Sequence, residues 1–213
     1  MSFFDNARQS KFVKPEEKQE NISRFAGFFL DRLSAVEAPP LTQRTVTLMA
    51  RSPASPAARS MLASLRDFST LGVQVQLILN LLDPAELLTE WIELGLLNNG
   101  ATSVPEIRWA RHPALVDAHE QMVLGTSFSW HGDCMRRDPE TRDAFETFEC
   151  FNAAAAHRAS LSFTAMWSKC QTVAVVRPQR LASGVGQVPH DVLNPLGGHL
   201  VPGAAGATVS TRH

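Results

Sequence analysis

The stretch from 44 to 79 constrains this chain most. "RTVTLMAR" (44–51) alternates, is rich in β-branched residues and reads as a strand. "SPASPAARSMLASLRDFSTLG" follows, with Ser55 placed to cap a helix and Pro56 at its first position. Ala58, Met61, Leu62, Leu65 and Phe68 recur on one face, and Gly72 ends the segment. "VQVQLILNLL" is then a second strand, apolar almost throughout, as expected where both faces are covered. Strand, helix, strand in this order predicts a parallel pair joined by a right-handed crossover.

The flanking elements extend this α/β core. "KPEEKQENISRFAGFFLDRLSAVE" carries Pro15 and two acidic residues at its start. Ile22, Phe25, Phe29 and Leu33 are spaced along one helical face. Residues 1–14 are polar and read as loose, and "APP" (38–40) breaks the chain before the first strand. Asp83 and Pro84 open a further helix that stops at Asn-Asn-Gly. "EIRWAR" (106–111) is a third strand, "HPALVDAH" a turn region and "EQMVLGTSFSW" (120–130) a fourth strand. "AFETFECF" (144–151) fits a fifth strand, although its spacing of three also allows helix. Asn152 caps a last helix whose face is Ala156, Ala159, Phe163, Met166, Trp167 and Cys170. The expected fold class is α/β, with a mixed, mostly parallel sheet flanked by helices. It divides into an N-terminal arm and amphipathic helix (1–40), an α/β domain (41–172) and a Gly/Pro/Ala-rich disordered tail (173–213).

Bulk composition narrows the function. Twenty Lys and Arg against 21 Asp and Glu leave a net charge of −1, so no basic excess favours nucleic acid. Cys134, Cys150 and Cys170 are odd in number and form no CxxC pair. That fits free thiols in a reducing compartment, not a disulfide framework or a zinc site. No signal peptide and no transmembrane run is read, which makes a soluble cytoplasmic protein the expectation.

"GTSFSW" (125–130) and the closing "AAAAHRASLSFTAMW" resemble segments of the phospholipase D-like family, and the likeness runs from about 44 to 170. That family's repeat sets a His, a Lys two residues on, an Asp five later and a Gly-Ser-x-Asn segment seven further. The resemblance implies a His nucleophile toward a phosphodiester, a Lys on the phosphate oxygens and an Asp balancing the His. It also implies a homodimer, because the family builds one site from two repeats and this chain has room for one. Counted back from Gly125, the Asp, Lys and His positions fall on Ala118, Pro113 and Arg111. With one residue deleted they fall on His119, Ala114 and His112. The lysine is missing in both registers, which points to a catalytically degenerate domain acting as a homodimeric binding or regulatory scaffold protein. The alternative is a diverged phosphodiesterase or nuclease using His112 with Arg108 or Arg111.

The candidate catalytic residues are therefore His112, His119 and Ser127. Ser127 lacks the Gly-x-Ser-x-Gly elbow that exposes a nucleophilic serine. Candidate ligand or phosphate contacts are Arg108, Arg111, Ser127, Ser129, His131, Arg136 and Arg137. On a strand, Ser127 and Ser129 face one side, and Phe128 and Trp130 the other. His112, Asp117 and His119 match no established metal geometry, so no metal and no cofactor is expected. A protein partner would be met by the N-terminal helix or the tail.

Overall fold

A computed structural model describes residues 8–83, 105–111, 117–136 and 144–173. The helix expected after Asp83, His112, Arg137 and all but the first residue of the tail lie outside the described residues. The elements are β1 (Arg8–Val13), α1 (Pro15–Ser34), a short 3-10 turn (Leu41–Arg44), β2 (Thr45–Ala50), α2 (Pro56–Ala63), α3 (Leu65–Thr70), β3 (Gln74–Leu79), β4 (Glu106–Trp109), β5 (His119–Leu124), β6 (Phe128–Cys134), β7 (Ala144–Glu149), α4 (Ala153–Trp167) and β8 (Gln171–Val173).

These strands form one sheet in the order β1-β7-β6-β5-β2-β3-β4-β8. The expected parallel pair is present: β2 and β3 run parallel, and β3 and β4 do too. The mostly parallel sheet is not. Among the described strands five of the seven pairings are antiparallel. The reason lies in the connections. A parallel neighbour needs a crossover of roughly a dozen residues or more. The β2–β3 and β3–β4 links are that long, whereas β5 returns through the three residues 125–127 directly into β6. Residues 8–13, read as loose, instead pair antiparallel with β7 as an edge strand.

Helices cover both faces. Ile22, Phe25, Phe29 and Leu33 of α1 pack with Met61 and Leu62 of α2 onto Leu48, Leu77, Trp130 and Phe148. On the other face α4 sets Phe163 against Met49 and Ile78, and Ala156 and Ala159 against Val123. Two caps fix the helix starts: Ser55 Oγ accepts from Ala58 N, and Asn152 Oδ1 accepts from Ala155 N at 3.0 Å. Of the 144–151 segment, Ala144–Glu149 is strand, paired with both β6 and β1, and Cys150 and Phe151 lie beyond its end.

Candidate functional site

In open α/β sheets, ligands bind outside the carboxyl ends of the parallel strands. The topology places three of the described candidates, His119, Arg111 and Arg136, at that edge. β2 ends at Ala50 and β4 at Trp109; β5 runs antiparallel to β2 and so starts there with His119 and Glu120. β6 runs antiparallel to β5 and ends there with Gly132, Asp133 and Cys134. α1 also begins there, because β1 runs toward the start of β7.

The centre of this edge is a buried carboxylate. Glu120 Oε2 accepts from Lys18 Nζ at 2.6 Å, with both side chains almost fully buried. Its Oε1 accepts from the Arg51 backbone N–H at 3.2 Å, just past the end of β2. Lys18 Nζ also lies 5.3 Å from the centroid of the Trp130 ring. A second buried carboxylate, Glu146, accepts from Asn21 Nδ2 at 3.1 Å and from Trp130 Nε1 at 3.2 Å. Lys18, Glu120 and Glu146 are residues that sequence reading missed. The available signal was Lys18, a cation on the same side of α1 as Ile22 and Phe25.

His119 stands beside this network and is exposed. Its Nδ1 is 3.0 Å from the Gly132 carbonyl oxygen. A carbonyl only accepts, so Nδ1 carries the proton and Nε2 is the basic nitrogen. Gln121, two residues on, is buried beneath α4, where its Nε2 donates to the Ala159 carbonyl at 3.2 Å.

The arginine candidates separate. Arg108 lies 4.3 Å over the Trp167 ring, donates to the Trp167 carbonyl at 2.8 Å and pairs with Glu106 at 3.2 Å. It is a packing residue between β4 and the end of α4. Arg111 sits 4.4 Å over Trp109 and donates to Gln171 Oε1 at 3.2 Å. Arg136 is exposed and pairs with Asp117 at 2.7 Å. Arg111 and Arg136 both lie at the rim of this edge.

The serines go elsewhere. The stretch 120–130, expected as one strand, is a hairpin, and Gly125, Thr126 and Ser127 are its turn. Gly125 adopts φ +60, and a Cβ there would meet Gln43 O at 3.0 Å and the Phe29 ring at 3.1 Å. The turn is at the opposite edge, roughly 17 Å of strand away from His119 at about 3.4 Å per residue. Ser127 accepts from Asn152 N at 2.9 Å through its carbonyl. Ser129 is buried opposite Val123 on the α4 face, while Phe128 and Trp130 point into the larger core, as the alternation predicts. His131 pairs with Gln121 and Thr147 in the ladder and is half-buried. Among the described candidates only His119, Arg111, Arg136 and the end of β6 thus lie at this edge, with β2 and β3 between the strand of His119 and the one that leads to Arg111.

No family model and no curated protein matches the chain. Among solved structures it is similar to TrmBL2, an archaeal chromatin protein described by its novel mode of DNA binding. The TM-score is 0.53 at 9% identity, over 81% of this chain and 57% of that one. This chain therefore spans a little over half the length of that structure, and at such identity the likeness is one of fold alone. Also similar are Nuc from Salmonella typhimurium, a phospholipase D family member (TM-score 0.47, 11% identity, 78% of this chain and 97% of that chain), and polyphosphate kinase from Porphyromonas gingivalis (TM-score 0.48, 10% identity, 76% and 26%). No helix among the described residues is long and apolar enough to cross a membrane.

Proposed function

We propose that this chain is a phospholipase D-like domain of a single repeat that binds a phosphate-bearing ligand without hydrolysing it, as a two-fold homodimer. The observation that carries the reading is the position of Gln121. The family pattern needs a His and a Lys two apart on one strand, and a Gly-Ser segment about fourteen residues beyond the His. A hairpin folds such a segment back beside the His. β5 and β6 make such a hairpin, with His119 bonded to Gly132, 13 residues on, although Asp133 follows that glycine where the pattern has Ser. In this register, which counting from Gly125 does not give, the lysine position is Gln121.

An amide turned under α4 brings no positive charge to a phosphoryl group, and phosphoryl transfer depends on positioned positive charge. Lys18, a lysine at this edge, is spent on Glu120 inside the protein. Arg111 and Arg136 at the rim remain able to contact a phosphate, which supports binding without turnover. With a net charge of −1, a small phosphate-bearing ligand is favoured over nucleic acid.

One observation favours the alternative of a diverged phosphodiesterase. His119 holds its proton on Nδ1 and keeps Nε2 basic, the tautomer a nucleophile needs. Hydrolysis of bis(p-nitrophenyl) phosphate in the presence of a chelator separates the two. Turnover equal to the buffer blank, unchanged in His119→Ala and His112→Ala, supports the binding reading. Metal-independent turnover lost in either variant establishes the alternative. Sedimentation near twice the 23.4 kDa chain mass tests the dimer.

A further inference from the structure

We propose that Asn80 contacts the ligand at the carboxyl edge, its side-chain amide donating to an oxygen of the phosphate group, an assignment that rests on the phosphate binding proposed for that edge. β3 is the middle strand of the parallel set β2, β3 and β4, and Asn80 is the first residue past its end. Its backbone is held on both sides. The N–H donates to the Ala50 carbonyl at 3.1 Å, and the carbonyl accepts from Trp109 Nε1 at 3.3 Å. The residue is 5% exposed, and its Nδ2 is buried with no hydrogen-bond partner among the described residues.

A carboxamide nitrogen carries two donors, and burying it without an acceptor is destabilising. Buried polar atoms nearly always find a partner, so a donor left bare at the end of a central parallel strand suits an acceptor that comes from outside. Ile78, two residues back, packs with Met49, Ala110 and Phe163 on the α4 face. Strand alternation puts Asn80 on that face as well. Gln121 lies beneath α4, so His119, two residues before it, shares the same face. Asn80 and His119 thus stand on one face of the carboxyl edge, with β2 alone between their strands. Two strand spacings of about 4.8 Å separate those strands.

The other buried atoms without a partner do not compete for this role. Thr47 Oγ1 and Ser129 Oγ lie inside β2 and β6. For Arg44, Arg59 and Arg108 the atom is Nε, which carries one of the five N–H donors of a guanidinium. Arg108 uses others of its five on the Trp167 carbonyl and Glu106. Asn80 alone among these residues directly follows a parallel strand. A neutral amide also suits the ligand class. It donates to a phosphate oxygen without the cost of burying a cation, while the charged Arg111 and Arg136 stay at the rim.

Calorimetric titration of the full-length protein with phenyl phosphate tests this. Asn80→Leu keeps the branched shape and removes the donor, and it should bind at least tenfold more weakly than the native chain while circular dichroism stays unchanged. Equal affinities would overturn the assignment and leave phosphate binding at this edge standing. No binding to the native chain would overturn both. A second measurement needs no variant and stands even if the substitution perturbs folding. In proton–nitrogen correlation spectra of the native chain, the Asn80 side-chain amide protons should move downfield as phenyl phosphate is added. Signals that stay in place at saturation would overturn the assignment of Asn80 alone.

Discussion

The Trp130 ring lies over Gly132, two residues along the same strand. A Cβ on Gly132 would stand 2.7 Å from Trp130 Cη2 and 2.8 Å from Cζ2. The ring cannot step aside, because it is fully buried and its Nε1 is bonded to Glu146. Glycine is therefore required here for space and not for an unusual backbone angle. Gly132→Ala should destabilise the protein by about 1–3 kcal/mol, the usual cost of overpacking. Urea denaturation followed by Trp fluorescence would measure it, and an unchanged midpoint would mean that the ring is free to move.

Lys18 and Glu120 form a buried pair, and breaking one partner leaves the other charged and dry. Lys18→Met should cost about 3–5 kcal/mol. Glu120→Gln added to it should restore most of the loss, since a glutamine oxygen can still accept from Arg51 N–H. The double-mutant cycle decides between a coupled pair and two independent sites: additive losses would reject the coupling.

How much of this was legible in the sequence follows from the range of each interaction. The β2–α2–β3 unit, Ser55, Asn152 and the strand alternation at Phe128 and Trp130 are local, so period and capping chemistry revealed them. The antiparallel join of β5 to the parallel strands depends on which strand β5 chooses as neighbour, and the pairing of Leu124 with Val46 is invisible to any short window. "GTSFSW" was read as one strand because its glycine and hydroxyl residues suit a strand end as well as a turn. The Lys18–Glu120 contact spans 102 residues, beyond any pattern of spacing. His119 was among the candidates, but counting from Gly125 assigned it to the aspartate position, because the count took the turn for the end of the strand.

The buried Cys150 thiol gives the stability a pH dependence. Its folded value of about 11 exceeds the ordinary value of 9.0. The unfolded chain therefore loses this proton first as pH rises. The contribution is fully present below pH 9 and is lost progressively between 9 and 11, at up to about 1.4 kcal/mol per pH unit. Unfolding free energies at several pH values for the protein and for Cys150→Ala would show it: the variant's curve should be flatter across that window. Parallel curves would mean that the thiol ionises equally in both states.

On the α4 face, Phe163 and Trp167 are stacked at 5.3 Å with an interplanar angle of 26°. Their helical spacing with Met166 predicts an equal share of the core, yet their surroundings differ. Phe163 is 3% exposed and packs against Met49 and Ile78. Trp167 is only half-buried; its outer face is covered by Arg108, whose guanidinium also bonds to the Trp167 carbonyl. Phe163→Ala should therefore cost about 3–5 kcal/mol. Trp167→Ala should cost less, on the order of 2 kcal/mol, because the removed ring was partly wet and the backbone bond to Arg108 survives. The order of the two, read from paired denaturation curves, is the test. A larger loss for Trp167→Ala would mean that this ring is covered in solution by something further, and its exposed edge would then belong to an interface.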